Sequence, residues 1–148
     1  MAKNIKSADW YKIQSQGLSL TATSSGSGGT SVAEVQDNLI KVKITTATDA
    51  KRNTATITTP FSFEIIGTQV ACATLGVSGG AGEQEIGIRN GTGVIASNIH
   101  LATVDVVKPQ TDLDRTYTHF TKGDDDLVVT LSGTSMGTVV AVLQFVYA

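Results

Sequence analysis

The residue with the clearest catalytic context is Ser135, in the run Gly-Thr-Ser-Met-Gly at residues 133–137. This spacing matches the G-x-S-x-G motif of hydrolases, in which a strand leads into a sharp turn at the serine and a helix follows. The chemistry also needs a histidine base and an acid that orients it. No Asp, Glu or His follows Ser135, and the next ten residues are typical of a strand. We therefore interpret the motif as a turn between two strands, and we do not expect an enzyme.

Side chains that bind metal ions are few and spread along the chain. Residues 124–126 are three aspartates, and Asp112 and Asp114 come shortly before them. Carboxylate oxygens suit Ca²⁺, but the spacing of an EF-hand loop is absent, so a solvated turn is favoured and calcium stays an alternative. His100 and His119 are too few to form a transition-metal site without carboxylates. The sequence predicts no metal centre and no cofactor.

Composition indicates one all-β domain with a weakly charged surface. The chain has 148 residues, which is the length of a typical single domain. Only 16% of them are charged, whereas 21 are threonine, whose branched side chain favours strands. A net charge of -2 gives no electrostatic basis for binding nucleic acid. The single cysteine, Cys72, excludes an intrachain disulfide and is expected to be a small buried residue.

Neither a secretion signal nor a membrane-spanning segment is expected. The N-terminal residues lack the continuous apolar run of a signal peptide. The longest apolar run, at residues 139–146, is interrupted by Gln144 and falls short of the ~20 residues of a membrane helix. We expect synthesis in the cytoplasm and no membrane partner.

Residues 1–30 are predicted to form an extended N-terminal arm, and residues 31–148 the folded domain. The arm ends in the Ser/Gly-rich run TATSSGSGGT, which is typical of a flexible linker. It combines lysines with apolar side chains that are too few to form a core of their own. Its candidate contact residues are Lys3, Lys6, Trp10, Tyr11, Lys12, Ile13 and Leu18. These residues either dock on another surface or fold back on their own domain.

The rest of the chain alternates apolar and polar residues with the period of half-buried strands. The residues expected to face inward are Ile40, Val42, Ile44, Phe61, Phe63, Ile65, Ile86 and Ile88. Asn90 and Gly91 give the strongest hairpin signal, and residues 126–148 are predicted to form another hairpin. Eight or nine short strands, with at most a helical turn at residues 31–36, indicate a sandwich or a barrel.

The last predicted strand is apolar on both faces. One face carries Val139, Ala141, Leu143, Phe145 and Tyr147, and the other carries Val140, Val142, Gln144 and Val146. A strand with one solvated face should instead alternate apolar with polar residues. One face can fill the core, so the other needs a cover.

Residues 57–148 resemble small capsid decoration (cement) and head-fibre proteins of tailed bacteriophages. The stretches that carry the resemblance are ITTPFSFEIIGTQVACATLGV, EQEIGIRNGTGVIASNI and GDDDLVVTLSGTSMGTVVAVLQFVYA. Within them, the matching positions are Phe63, Gly67, Asn90, Gly91, Gly123, Asp124, Leu127, Val129, Thr130, Ser132, Gly133, Gly137 and Val139.

The resemblance implies a jelly-roll β-sandwich that binds the exterior of the capsid as a homotrimer and stabilises the shell of the major capsid protein. It also implies that the N-terminal arm reaches over this shell. The expected location is the virion exterior, after synthesis in the cytoplasm of a bacterial host. The expected subunit interface, around a threefold axis, is the second face of the last strand, with Val140, Val142, Gln144 and Val146.

The alternative is a receptor- or carbohydrate-binding β-sandwich of a phage fibre. Proteins that bind sugars commonly expose Trp or Tyr rings, which have one apolar and one polar part. Here aromatic residues make up 5% of the chain, and Tyr117 and Tyr147 are the candidates within the predicted domain. Loops can also bind sugars by hydrogen bonds alone, so this alternative stays open.

Overall fold

The computed structural model describes residues 17–25, 30–45, 52–74, 84–101, 107–110, 113–133 and 137–148. Within these ranges the protein is all-β and contains no helix, which confirms the predicted class. The strands are β1 (Leu18–Ser25), β2 (Thr30–Gln36), β3 (Leu39–Thr45), β4 (Arg52–Thr58), β5 (Phe63–Thr74), β6 (Gln84–Asn90), β7 (Gly93–Leu101), β8 (Val107–Gln110), β9 (His119–Phe120), β10 (Leu127–Gly133) and β11 (Thr138–Tyr147).

The strands form a curled antiparallel sheet in the order β7-β6-β10-β4-β1-β2-β3-β11-β5-β8, with β9 also paired to β5. β1 is shared, because residues 18–20 pair with β2 and residues 21–25 pair with β4. We call β2, β3, β11, β5, β8 and β9 the β11 half, and β4, β10, β6 and β7 the β10 half. The inward residues of both halves meet in a single core.

From β3 onward the pairing is nested, as in a long hairpin that has been rolled up. β3 pairs with β11, β4 with β10, β5 with β8 and β9, and β6 with β7. At the tip, Asn90 pairs with Gly93 across the two-residue turn of Gly91 and Thr92. Gly91 has a φ of 56°, which glycine adopts without steric cost. The predicted hairpin at Asn90 and Gly91 is therefore present.

The last two strands do not form the hairpin that the sequence predicts. β10 has β4 on one edge and β6 on the other, and β11 has β3 and β5. A strand has only two hydrogen-bonding edges, so neither β10 nor β11 has one left for the other. Between residues 133 and 137 the chain passes from the centre of the β10 half to the centre of the β11 half.

The sheet begins earlier in the chain than the predicted boundary at residue 31. Leu20 of β1 is buried, and Leu18 packs against the core. The helical turn considered at residues 31–36 is instead β2, because Ala33 and Val35 alternate into the core. These two strands account for part of the difference between the eight or nine strands expected and the eleven found within the described ranges.

Alternation predicted the core residues correctly. Each residue expected to face inward is at most 1% exposed, namely Ile40, Val42, Ile44, Phe61, Phe63, Ile65, Ile86 and Ile88. The lysines between them, Lys41 and Lys43, are exposed. Burying each of these apolar side chains contributes ~1.5–3 kcal/mol to stability.

All four phenylalanines of the chain lie in one cluster, together with Tyr147. Phe63 stacks on Phe120 with ring centroids 4.5 Å apart, and Phe61 stacks on Phe145 at 5.3 Å. Tyr147 contacts Phe61 and Phe145 edge to face, at 5.2 and 5.1 Å. Because such pairs add to the energy of burial, the cluster holds the end of β11 against the start of β5 and against β9.

The segment that follows β8 bridges the two halves of the sheet. The Ile65 N–H of β5 donates to the Thr118 carbonyl at 3.0 Å, and the Asp114 N–H donates to the Ile95 carbonyl of β7 at 3.0 Å. Arg115 adds a side-chain hydrogen bond from Nη1 to the Ile65 carbonyl at 3.2 Å. Backbone hydrogen bonds thus join the β11 half to the β10 half on this side of the core.

A buried polar contact also joins the two halves of the sheet near Thr45, the last residue of β3. Asn53 of β4 is fully buried. Its Oδ1 accepts a hydrogen bond from Ser24 Oγ at 2.5 Å, and its Nδ2 donates to the Thr45 carbonyl at 3.1 Å. A buried polar group that loses its partner costs ~1–3 kcal/mol. Asn53 therefore links β1, β4 and the end of β3.

We expect Asn53→Ala to lower the free energy of unfolding by about 1–3 kcal/mol, because the Thr45 carbonyl loses its buried donor. The control is Thr23→Ala, which removes an exposed hydroxyl of β1 and should change stability by less than about 0.5 kcal/mol. Urea denaturation measures both values. Equal losses in the two variants would contradict the role of Asn53 as a buried link.

Burial of the phenol raises the pKa of Tyr147 above its ordinary value, and the nearby Asp37 carboxylate raises it further. The folded protein therefore keeps a proton that the unfolded chain loses above about pH 10. The contribution of Tyr147 to the free energy of unfolding is fully present below that pH and is lost as the pH rises further. We expect the stability of the wild type to decrease more steeply above about pH 10 than that of Tyr147→Phe, which keeps the ring. Urea unfolding at a series of pH values tests this, and parallel profiles would disprove it.

Candidate interaction surface on the β11 half

The two faces of β11 differ in burial. The inner face is at most 1% exposed at Val139, Ala141, Leu143 and Phe145. On the outer face, Val140 and Val142 are half-buried, Gln144 is exposed and Val146 is 45% exposed. We call the four outer residues the β11 stripe. The prediction of one core face and one outward, mainly apolar face is confirmed, and the use of the stripe as a subunit interface stays a prediction.

Polar side chains border the β11 stripe. Val142 lies between Lys41 of β3 and Gln69 of β5 in the register of the sheet. Next to Val146 lies Glu64, whose carboxylate is 3.3 Å from His119 Nε2. An apolar centre with a polar rim is the usual anatomy of a protein interface. Because β11 is paired on both edges as far as Gln144, a partner can reach Val140 and Val142 only from the outer face.

A groove crosses the stripe. Leu39, Ile66 and Val142 line a hollow of about 270 Å³, and Glu34, Asp37, Leu39 and Val142 line a hollow of about 260 Å³. Leu39 and Val142 belong to both hollows, so we treat the two as one feature, the β11 groove. Because the two hollows share these apolar side chains, the groove can accept neighbouring side chains of a protein segment.

The groove has its origin in β5. Gly67 pairs with Gln144, and the register between β5 and β11 shifts directly beside this pair. Such a bulge places an additional residue on one strand and bends it. Gly67 has no side chain to fill the space beside Gln144, and Ile66 is left 37% exposed on the outside.

Sequence reasoning missed Leu39 and Ile66 as surface residues. Leu39 is 41% exposed. Alternation alone places Leu39 on the same face as Lys41 and Ile66 on the same face as Glu64, so a signal was present. The register shift that opens the groove between them had no comparable signal in the sequence.

The structure separates one of the predicted arm residues from the others. Leu18 is the first residue of β1, pairs with Val35 and packs against the core. It is thus a residue of the sheet and not of a capsid-contacting arm. The remaining candidates lie outside the described residues, namely Lys3, Lys6, Trp10, Tyr11, Lys12 and Ile13.

Of the aspartates considered for calcium, Asp124, Asp125 and Asp126 precede β10, as predicted. Asp114 belongs to the segment after β8, and Asp112 lies outside the described residues. The Asp125 carboxylate accepts the Thr121 N–H at 2.8 Å, and the Asp126 carboxylate accepts the Thr58 hydroxyl at 3.4 Å. Gly123, in the same turn, has a φ of 85°. Across the described ranges, no three side chains of Asp, Glu, His or Cys are grouped so that they could hold a metal ion.

The G-x-S-x-G motif connects two strands. Gly133 ends β10, and β11 begins directly after Gly137. Residues 134–136 lie outside the described residues. A hydrolase elbow is followed by a helix, so the strand that follows here favours the interpretation as a connection between strands.

Two comparisons with known proteins found no match for this chain. A scan against models of protein families found no family that matches this chain. A search of curated proteins also found no match. In the part of the chain that the structure describes, no helix is long and apolar enough to cross a membrane.

Neighbouring residues of β11 should respond very differently to truncation. Leu143→Ala leaves a cavity in the core and should lower the free energy of unfolding by about 2–5 kcal/mol. Gln144→Ala shortens an exposed side chain on the outer face and should change it by less than about 0.5 kcal/mol. Urea denaturation measures both. A large loss for Gln144→Ala, or none for Leu143→Ala, would contradict the assignment of the two faces.

Proposed function

We propose that this chain is a structural protein of a virion, a decoration (cement) protein that binds the exterior of a bacteriophage capsid as a homotrimer. The observation that carries the proposal is the β11 stripe. Val140, Val142 and Val146 lie outward on a strand whose edges are both occupied. An apolar surface with a polar rim on a weakly charged protein favours contact with another protein.

The strand order supports a jelly-roll sandwich as the architecture of this protein. Jelly rolls consist of two antiparallel sheets connected by Greek keys and occur in viral capsid domains and lectins. Here the chain from β3 to β11 pairs as a rolled-up hairpin, with β11 between β3 and β5 and β10 between β4 and β6. β1 and β2 add to this arrangement from the N-terminal side.

The position of the stripe at the centre of its half-sheet supports assembly of copies through this face, and we take the assembly to be a homotrimer. A surface that is identical in every copy and cannot be covered by its own chain's strands is suited to a closed ring of subunits. In this proposal Val140, Val142, Gln144 and Val146 of neighbouring copies lie around the threefold axis, and the β10 half faces away from it.

Contact with the major capsid protein is proposed for residues 1–16. This segment contains three lysines, Lys3, Lys6 and Lys12, together with the aromatic residues Trp10 and Tyr11. Aromatic side chains supply large contact areas in protein interfaces. Leu18 is omitted from this contact because it belongs to β1.

The alternative function, a receptor- or carbohydrate-binding domain of a phage fibre, has one supporting observation. Tyr117 is 40% exposed. The Tyr117 ring lies directly over Gly93, where an added Cβ would overlap it. The ring thus serves to cover a glycine of β7, but its outer side remains available to a sugar.

Sedimentation of the purified full chain tests the proposal. We expect a species of three times the 15.4 kDa chain mass. Val140→Asp and Val146→Asp should each shift it towards the monomer, because a carboxylate would be buried in the subunit contact. Val94→Asp, on the β10 half, is the matched control and should leave the mass unchanged.

A monomer at all concentrations would contradict the trimer. Equal dissociation by Val94→Asp would show that the contact is not on the β11 half. Binding of the wild-type monomer to glycans, with no binding to capsids, would favour the alternative function.

A further inference from the structure

The β11 groove has an apolar floor, and one end is lined by two carboxylates and one ammonium group, with Lys41 beside the two acidic residues. Leu39, Ile66 and Val142 supply the apolar surface, and Glu34 and Asp37 lie at the end near the connection between β2 and β3. Such a groove on a protein surface is suited to a segment with aromatic or aliphatic side chains and positive charge nearby.

Residues 1–16 enter the described structure directly beside this groove. Gly17, the residue before β1, lies next to the outer face of β2. A Cβ built on Gly17 would be 3.9 Å from the Gln36 Cβ and 3.9 Å from the Glu34 carboxylate. Both of these residues line the groove. Gly17 also has a φ of 80°, which glycine adopts without steric cost.

The distance from Gly17 to the groove is well within reach of this segment. Adjacent strands lie ~4.8 Å apart, so β11 is only about 10 Å from β2 across β3. Trp10 is seven residues from Gly17, and an extended chain spans ~3.3–3.6 Å per residue, or about 23–25 Å. Tyr11 and Ile13 can reach the groove as well.

The chemistry of the segment matches the groove. Residues 1–16 contain Trp10, Tyr11 and Ile13, and three lysines against one aspartate. The apolar side chains fit the surface of Leu39 and Val142. The segment carries a net positive charge, and the end of the groove carries a net negative charge because Glu34 and Asp37 outnumber Lys41 there. Hydrophobic burial is the larger contribution, because exposed ion pairs each contribute only ~0–1 kcal/mol.

We infer that residues 1–16 dock in the β11 groove of their own subunit, with Trp10, Tyr11 or Ile13 against Leu39 and Val142. The docked segment fills the hollow beside Gly67 and completes the outer face of the β11 half. The lysines stay on the outside, where a capsid can contact them. This docking follows from the groove and from the position of Gly17, and it does not depend on the proposed virion function. A side chain among Trp10, Tyr11 and Ile13 that docks in its own subunit is not available to a capsid, so the lysines would then provide that contact.

Trp10 is the only tryptophan of the chain, so tryptophan fluorescence of the full-length protein reports on this segment directly. In the wild type we expect emission at shorter wavelength than that of a free tryptophan, and several-fold weaker quenching by acrylamide. Leu39→Asp and Val142→Asp should each shift the emission to longer wavelength and increase quenching, because they place a charge on the apolar floor.

Val32→Asp is the matched control. Val32 is 62% exposed on β2 of the same half-sheet but does not line the groove. This variant should leave the emission and the quenching unchanged. Far-UV circular dichroism checks that each variant is folded, and Leu39→Asp, at an exposed position, remains informative if Val142→Asp unfolds.

Three outcomes would overturn the inference. The first is free quenching of Trp10 in the wild type, and the second is protection that the groove variants do not reduce. The third is protection that disappears on dilution, which would assign the groove to a second copy. Sedimentation of the same samples tests the docking and the trimer separately. A monomer in which Trp10 is protected would support the docking and contradict the proposed trimer.

Discussion

The position of the last two strands is the constraint on which the rest of the structure depends. β10 and β11 are neighbours in the chain, yet each lies inside its own half of the sheet with both edges paired. Their inner residues meet in one core, where Val129, Leu131, Ala141 and Leu143 are at most 1% exposed. Both halves are therefore complete only when the C-terminal strands are in place. Pairing between distant parts of the chain is intrinsically slow to form.

The same arrangement explains why the outer face of β11 is of functional interest. A central strand cannot add another strand at its edge, so its apolar outer residues interact only through the face of the sheet. Val140 and Val142 are flanked by β3 and β5, and the groove beside the bulge at Gly67 is lined by Val142. On a chain with 16% charged residues, this surface is suited to another protein segment. Both partners proposed for this surface, the N-terminal segment and a second copy of the chain, would bind the outer face of the β11 half.

Local patterns predicted local features well. Alternation identified the inward residues around Ile40, Phe63 and Ile86, and the Asn90–Gly91 signal located the tip of the rolled hairpin, because both depend on neighbours in sequence. The partner of each strand was not predictable in this way. The hairpin expected at residues 126–148 is absent, since edge pairing is decided by strands far away in the chain. The Ser/Gly composition before residue 30 also concealed β1, although Leu18, Leu20 and Ala22 alternate.

An experimental structure of the assembled protein would test the central claim most directly. That claim is that the outer face of the β11 half is where this chain contacts protein. The account predicts that Val140, Val142 and Val146 are buried by protein in every subunit, with the β10 half left open to solvent. Copies that meet through the β10 half, with the β11 stripe and groove exposed to water throughout, would contradict it.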